Sequence, residues 1–158
     1  MRNLNIICVE DQKEVLGALV KDLEIFETHF SVTECDSAAS AKEALEEIDN
    51  KGGRVALIIC DHVMPGQSGI DFMIEVNNDA RFNKTRKILL TGLATQQDAI
   101  VAINEAEINY YVEKPWDSAD LIAVIKKLLT KYFILTGIDF NDYKEFVDEE
   151  IINKEFGS

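Results

Sequence analysis

Polar side chains close four of the apolar runs in this sequence. Glu10-Asp11 follow Leu4 to Val9, Asp61 follows Val55 to Cys60, Thr91-Gly92 follow Lys87 to Leu90, and Lys114-Pro115 follow Asn109 to Val112. If those runs ended at one rim, three carboxylates, a hydroxyl and an ammonium would meet there. Crowded carboxylates repel one another, and a hard cation such as Mg2+ relieves the repulsion with oxygen ligands. A phosphoryl group arriving at one carboxylate needs positive charge on its equatorial oxygens, which a metal, Lys114 and the Thr91 hydroxyl could supply. An aspartate can act as the nucleophile and form an acyl phosphate. Taken singly, each residue has an ordinary reading: a helix cap, a solvated loop, a strand end. Jointly, complementary groups at four strand ends are hard to explain by structure alone.

The elements that would bring them together are legible as alternating apolar runs and amphipathic stretches. Leu4 to Val9, Ser31 to Cys35, Val55 to Cys60, Lys87 to Leu90 and Asn109 to Val112 read as strands. The near-continuous apolar run from Val55 to Cys60 is typical of a strand covered on both faces. Helical spacing spans Lys13 to Phe26, Ala38 to Ile48, Ile70 to Val76 and Ala94 to Ala106, and Gly52-Gly53 stops the second of these. Asp117 is placed to cap a last core helix carrying Leu121, Ile125, Leu128 and Leu129. Five βα units predict a doubly wound, five-stranded parallel sheet with helices on both faces and right-handed crossovers. In such a sheet ligands bind beyond the carboxyl ends of the strands, where the polar residues lie.

Composition bounds the rest. The chain has 158 residues, 47% hydrophobic and 28% charged, which suits one compact α/β domain with a short extension. A net charge of −13 argues against direct nucleic-acid binding, because a phosphate backbone would repel the surface. No run is long enough to cross a bilayer, and Met1-Arg2-Asn3-Leu4 has no signal-peptide layout, so no membrane contact and a cytoplasmic location are expected. Cys8, Cys35 and Cys60 lack metal or disulfide spacing and read as buried free thiols.

The motifs together resemble a known family. Glu10-Asp11 after an apolar strand is similar to the acidic pair of response regulator receiver domains of two-component systems, including the chemotaxis regulators. Asp61-His62-Val63-Met64-Pro65-Gly66-Gln67-Ser68-Gly69 resembles their phosphorylation loop, Leu89-Leu90-Thr91-Gly92 their switch segment, and Tyr111-Val112-Glu113-Lys114-Pro115-Trp116 their aromatic–Lys–Pro segment. The resemblance covers about Asn3 to Phe133. It implies a flavodoxin-like sheet of order 2-1-3-4-5, with residues 1–135 as the receiver and 136–158 as an acidic helical extension or the start of a linker.

The resemblance also implies roles. Asp61 takes a phosphoryl group from a histidine kinase or a histidine phosphotransfer protein. Asp11 and Asp61 ligate Mg2+, Glu10 reaches it through water, and the Val63 carbonyl completes the protein ligands. Lys114 pairs with the phosphoryl oxygens across a cis Lys114-Pro115 bond. Thr91 and Tyr111 form a two-position switch controlling a partner, a second copy or a downstream output domain. Such a module is a signalling domain that assists its own phosphorylation, not an enzyme in the ordinary sense. Apolar Val63 and Leu93 flank the phosphoryl position and point to slow self-dephosphorylation. His62 has no assigned role, its ring facing either the loop or solvent. Gly92 leaves the acceptor open to the kinase.

Two rivals are weaker. An aspartyl-nucleophile phosphatase of haloacid-dehalogenase type needs Asp-x-Asp, and Val63 stands where the second aspartate would be. A nucleotide-binding protein would need a glycine-rich phosphate loop, which is missing. The acid-rich tail places Tyr143, Phe146, Val147 and Ile151 at helical spacing, which predicts one helix over residues 141–152. Its apolar face is expected to pack on a second copy or a downstream domain, since the five-unit core closes without it, or else on its own domain.

Overall fold

A computed structural model describes residues 3–92 and 96–157 of the chain. Five parallel strands, β1 (Leu4–Val9), β2 (Ser31–Cys35), β3 (Arg54–Asp61), β4 (Arg86–Thr91) and β5 (Tyr110–Glu113), form one sheet in the order β2-β1-β3-β4-β5. The register places Val9 beside Cys60 and Asp61 beside Leu90, so the strands end almost level. The helices are α1 (Lys13–Asp22), α2 (Ala38–Asn50), α3 (Gly69–Asn78), α4 (Gln96–Val101), α5 (Ser118–Thr136) and α6 (Glu149–Phe156).

Strand side chains alternate between two apolar layers, as a period of two requires. Ile6, Cys8, Leu57, Ile59, Ile88 and Leu90 meet α1 and α5, with Leu19, Leu121, Ile125 and Leu129. Ile7, Val9, Ile58, Cys60 and Leu89 meet α2 and α3, with Ala41, Leu45, Phe72 and Met73. Each large side chain so buried stabilises the fold by about 1.5–3 kcal/mol. Cys8, Cys35 and Cys60 are free and buried within these layers. Gly52 follows α2 at φ 76°, a left-handed turn that lets the chain leave the helix and enter β3. Among the described residues no helix is long and apolar enough to cross a membrane.

Three elements differ from the periodicity reading. The first helix ends at Asp22 and continues as a short 3-10 stretch, Glu24–Phe26, which drops Phe26 and then Phe30 into the core. The expected helix from Ala94 to Ala106 is α-helical only over Gln96–Val101 and π-helical over Ala102–Ala106, stopped by Glu107 in the left-handed region at φ 52°. Its start at Ala94 and Thr95 lies outside the described residues.

The third difference is the tail. In place of one helix over 141–152 there is a 3-10 stretch, Asn141–Phe146, an extended residue at Val147, and then α6. The break has a local cause. The Asp148 backbone N–H donates to Thr130 Oγ1 of α5 at 2.7 Å, and the Asp148 carboxylate caps α6 through Ile151 N–H at 3.2 Å. The tail packs on its own domain. Phe146 is 3% exposed, with ring centroids 5.4 Å from Phe26 and 5.6 Å from Phe30, and Tyr143 lies 5.1 Å from Phe133. The five-unit core therefore leaves Phe26, Phe30 and Phe133 with a face that the tail covers.

Lys87 in β4 is a buried cation, 1% exposed, with Nζ 3.3 Å from both Asn77 Oδ1 and the Thr85 carbonyl oxygen. Burial, with Arg86 beside it, pulls its ammonium down to about 8 from an ordinary 10.5. The folded state thus binds this proton less tightly than the unfolded state. The burial penalty is full below about pH 8 and is relieved as pH rises toward the unfolded value.

Two stability outcomes follow from this packing. Phe146→Ala lowers the unfolding free energy by about 3 kcal/mol in urea titrations, the cost of emptying a buried aromatic site; an unchanged midpoint would mean the tail does not pack in solution. Lys87→Met stabilises the chain by about 1–2 kcal/mol at pH 7, and this advantage over the wild type shrinks between pH 8 and 10.

Candidate functional site

At the carboxyl edge of the sheet, β1 delivers Glu10 and Asp11, β3 delivers Asp61, β4 ends in Thr91, and the turn after β5 carries Lys114. Glu10 is fully buried, Asp61 and Thr91 are nearly so, and Asp11 is partly open to solvent. Carboxylate oxygens of Glu10, Asp11 and Asp61 lie within 4.8 Å of one another. Lys114 Nζ stands 3.0 Å from Glu10 Oε2 and 3.0 Å from Asp61 Oδ1. Lys114 thus bridges two carboxylates.

The electrostatics follow from this arrangement. Burial raises the Glu10 carboxyl above its ordinary value and the Asp61 charge adds to the rise, both working against the Lys114 hydrogen bond. Burial also works to lower the Lys114 ammonium, but its hydrogen bonds to Glu10 and Asp61 outweigh that and hold it above its ordinary value. Both directions have one meaning: the cluster favours added positive charge. Three oxygen-donor side chains with a single ammonium fit a hard divalent cation.

Local structure fixes each group. The Lys114 backbone N–H donates to the Thr91 carbonyl at 3.1 Å, the Lys114-Pro115 peptide is cis, and the Tyr111 hydroxyl donates to the Ala99 carbonyl of α4 at 3.2 Å. After Asp61 the chain loops through Met64, which is buried, and returns at Gly69, whose N–H donates to the His62 carbonyl at 2.8 Å. A Cβ at Gly69 would run into the Asp61 carbonyl, so only glycine allows that return. Val63 is 70% exposed at the mouth, and a Cβ at Gly92 would meet open space. Leu93 lies outside the described residues.

Three contacts had no signal in the sequence. The Trp116 indole N–H donates to Asp22 Oδ2 at 2.7 Å and the Ser118 hydroxyl to Asp22 Oδ1 at 2.9 Å, tying the turn after Lys114 to the end of α1. His62 turns toward α4, with Nε2 3.5 Å from Asp98 Oδ2. Pairs so far apart in sequence become visible only once the sheet order is known.

Residues 6–126 match the family model described as the response regulator receiver domain. The chain is 29% identical over 126 residues to the hydrogenase transcriptional regulatory protein HoxA of Cupriavidus necator, covering 80% of this chain and 24% of that protein. It is 27% identical over 131 residues to the chemotaxis protein CheY of Pseudomonas aeruginosa, covering 81% of this chain and 98% of that protein. It therefore spans about a quarter of the hydrogenase regulator and nearly the whole of the chemotaxis protein. Among solved structures, the signal receiver domain of an HD domain-containing protein from Pseudomonas fluorescens has a TM-score of 0.76 at 24% identity, covering 88% of this chain and 96% of that one, a likeness of fold. The sheet order, the acidic pocket of Glu10, Asp11 and Asp61, and the match over residues 6–126 agree, and the chain belongs to the response regulator receiver domain family, the signalling module of two-component systems.

Proposed function

We propose that Asp61 accepts a phosphoryl group from the phosphohistidine of a histidine kinase or histidine phosphotransfer protein. The observation that carries this reading is the convergence of two carboxylates, Glu10 and Asp11, and of Lys114 on one nearly buried aspartate at the carboxyl edge of the sheet. An Asp61 carboxylate oxygen attacks phosphorus, the phosphorus–nitrogen bond to the donor imidazole breaks, and the imidazole leaves with that electron pair. Lys114, already 3.0 Å from Asp61 Oδ1, neutralises charge on the incoming oxygens, and the Thr91 hydroxyl donates to them. Glu10, Asp11, Asp61 and the Val63 carbonyl would hold Mg2+, which supplies further positive charge at the same oxygens when bound.

The phosphoryl group adds negative charge and acceptor oxygens, which gives Thr91 a reason to move toward Asp61. Its departure makes room for the Tyr111 ring, whose hydroxyl now rests on the Ala99 carbonyl. The surface of α4, β5 and α5 changes shape and controls a partner, a second copy or a downstream domain. Residues 136–158 act as an extension of the receiver, covering part of its core.

Two measurements bear on this reading. Incubation with acetyl phosphate and Mg2+ adds one phosphoryl mass to the wild type and none to Asp61→Asn; equal labelling of both would sink the assignment. Val63→Asn replaces an exposed apolar group by one that can orient an attacking water, and it speeds loss of the phosphoryl group by about tenfold. An unchanged lifetime would remove Val63 from the control of dephosphorylation.

A further inference from the structure

The acceptor loop touches α4 through a side-chain pair that the phosphorylation chemistry does not use. His62, next in sequence to Asp61, has its side chain only 14% exposed and its Nε2 3.5 Å from Asp98 Oδ2. Its other ring nitrogen, Nδ1, is buried and has no hydrogen-bond partner among the described residues, so the ring is held by packing and by Asp98, not by a hydrogen bond from its own loop. The His62 backbone is fixed as well, because its carbonyl accepts the Gly69 N–H that closes the loop. A displacement of the acceptor loop is therefore felt by this ring.

Asp98 faces a second group. Burial raises the Tyr111 phenol, and the Asp98 charge raises it further, so the carboxylate lies within electrostatic reach of the switch aromatic as well as His62. The next residue, Ala99, accepts the Tyr111 hydroxyl. Adjacent residues of α4 thus hold the acceptor loop and the switch aromatic. The helix they belong to is short and irregular: six α-helical residues, a π-helical continuation, exposed Ile100 and Ile103, and a non-glycine left-handed stop at Glu107.

We propose that His62 and Asp98 form a latch that holds α4 in the arrangement of the unmodified chain and thereby slows phosphoryl uptake at Asp61. The proposal rests on the phosphoacceptor reading above and assigns both members as positioning residues. A conformational equilibrium is shifted only by contacts that differ between its states, and this contact joins the element that receives the phosphoryl group to the element that responds. Loosening it raises the population that has already left the unmodified arrangement.

The test uses the full chain with acetyl phosphate and Mg2+, comparing wild type, His62→Ala, Asp98→Ala, the double variant and Asp98→Glu. Each alanine variant speeds labelling of Asp61 about twofold to fivefold, the range available to a partly exposed pair. The double variant is no faster than either single one, Asp98→Glu stays near the wild-type rate, and thermal midpoints do not change. A purely structural role would move the midpoints instead. Single-variant rates equal to wild type, or a double-variant effect equal to the product of the single effects, would overturn the latch while leaving Asp61 as acceptor. A second readout needs no phosphoryl group: backbone amide resonances of residues 96–106 and the Tyr111 ring resonances shift alike in both single variants. If those resonances shift alike but wild-type Asp61 takes no label, the latch stands as a conformational contact and the phosphoacceptor reading fails. If they do not shift, the latch fails.

Discussion

Lys114 stands between two carboxylates that mutual repulsion would otherwise push apart. Glu10 has no exposed surface and Asp61 almost none, and both approach the same ammonium at 3.0 Å. An isolated buried carboxylate is far more costly than a paired one, so the position of Lys114 is a condition for having two acids here at all. That position depends in turn on the turn after β5: the Lys114 N–H on the Thr91 carbonyl, the cis peptide to Pro115, and the Trp116 indole on Asp22. The remaining acid, Asp11, is partly open and leaves the cluster with a surplus of negative charge. A site built this way is stable enough to fold and still attracts positive charge.

The parallel sheet provides the accuracy. Its central strands, β1, β3 and β4, are buried on both faces and end nearly level, so the polar residues that follow their apolar runs are delivered to the same edge. The side chains need no long loops to reach one another. Gly69 shows how tight the remaining freedom is, since even a Cβ there would strike the Asp61 carbonyl.

Much of this was legible in the sequence for the same reason. The strand from Val55 to Cys60 is a continuous apolar run and that from Leu4 to Val9 is broken only by Asn5, and burial on both faces leaves few other readings. Placing Glu10, Asp11, Asp61, Thr91 and Lys114 at one rim needed only the rule that ligands bind at strand carboxyl ends. What stayed hidden depends on packing between distant segments. The helical spacing of Tyr143, Phe146, Val147 and Ile151 was real as a pattern, but Phe146 docked on Phe26 and Phe30 while Asp148 bonded Thr130 and began a new helix. Periodicity does not reveal that an aromatic pocket already waits on the core. The turn of His62 toward Asp98 was equally invisible, because a ring beside a loop can face either way until its neighbours are placed.

Asp22 receives both the indole of Trp116 and the hydroxyl of Ser118, so the end of α1 grips the start of α5 at two atoms of one carboxylate. Farther along α5, the tail adds aromatic packing between Tyr143 and Phe133. One flank of the sheet is thus braced at both ends, while the other carries a short helix with a π-helical turn and exposed isoleucines. The α1–α5 flank is therefore cross-tied by side chains at two separated points, as a strut is pinned at both feet.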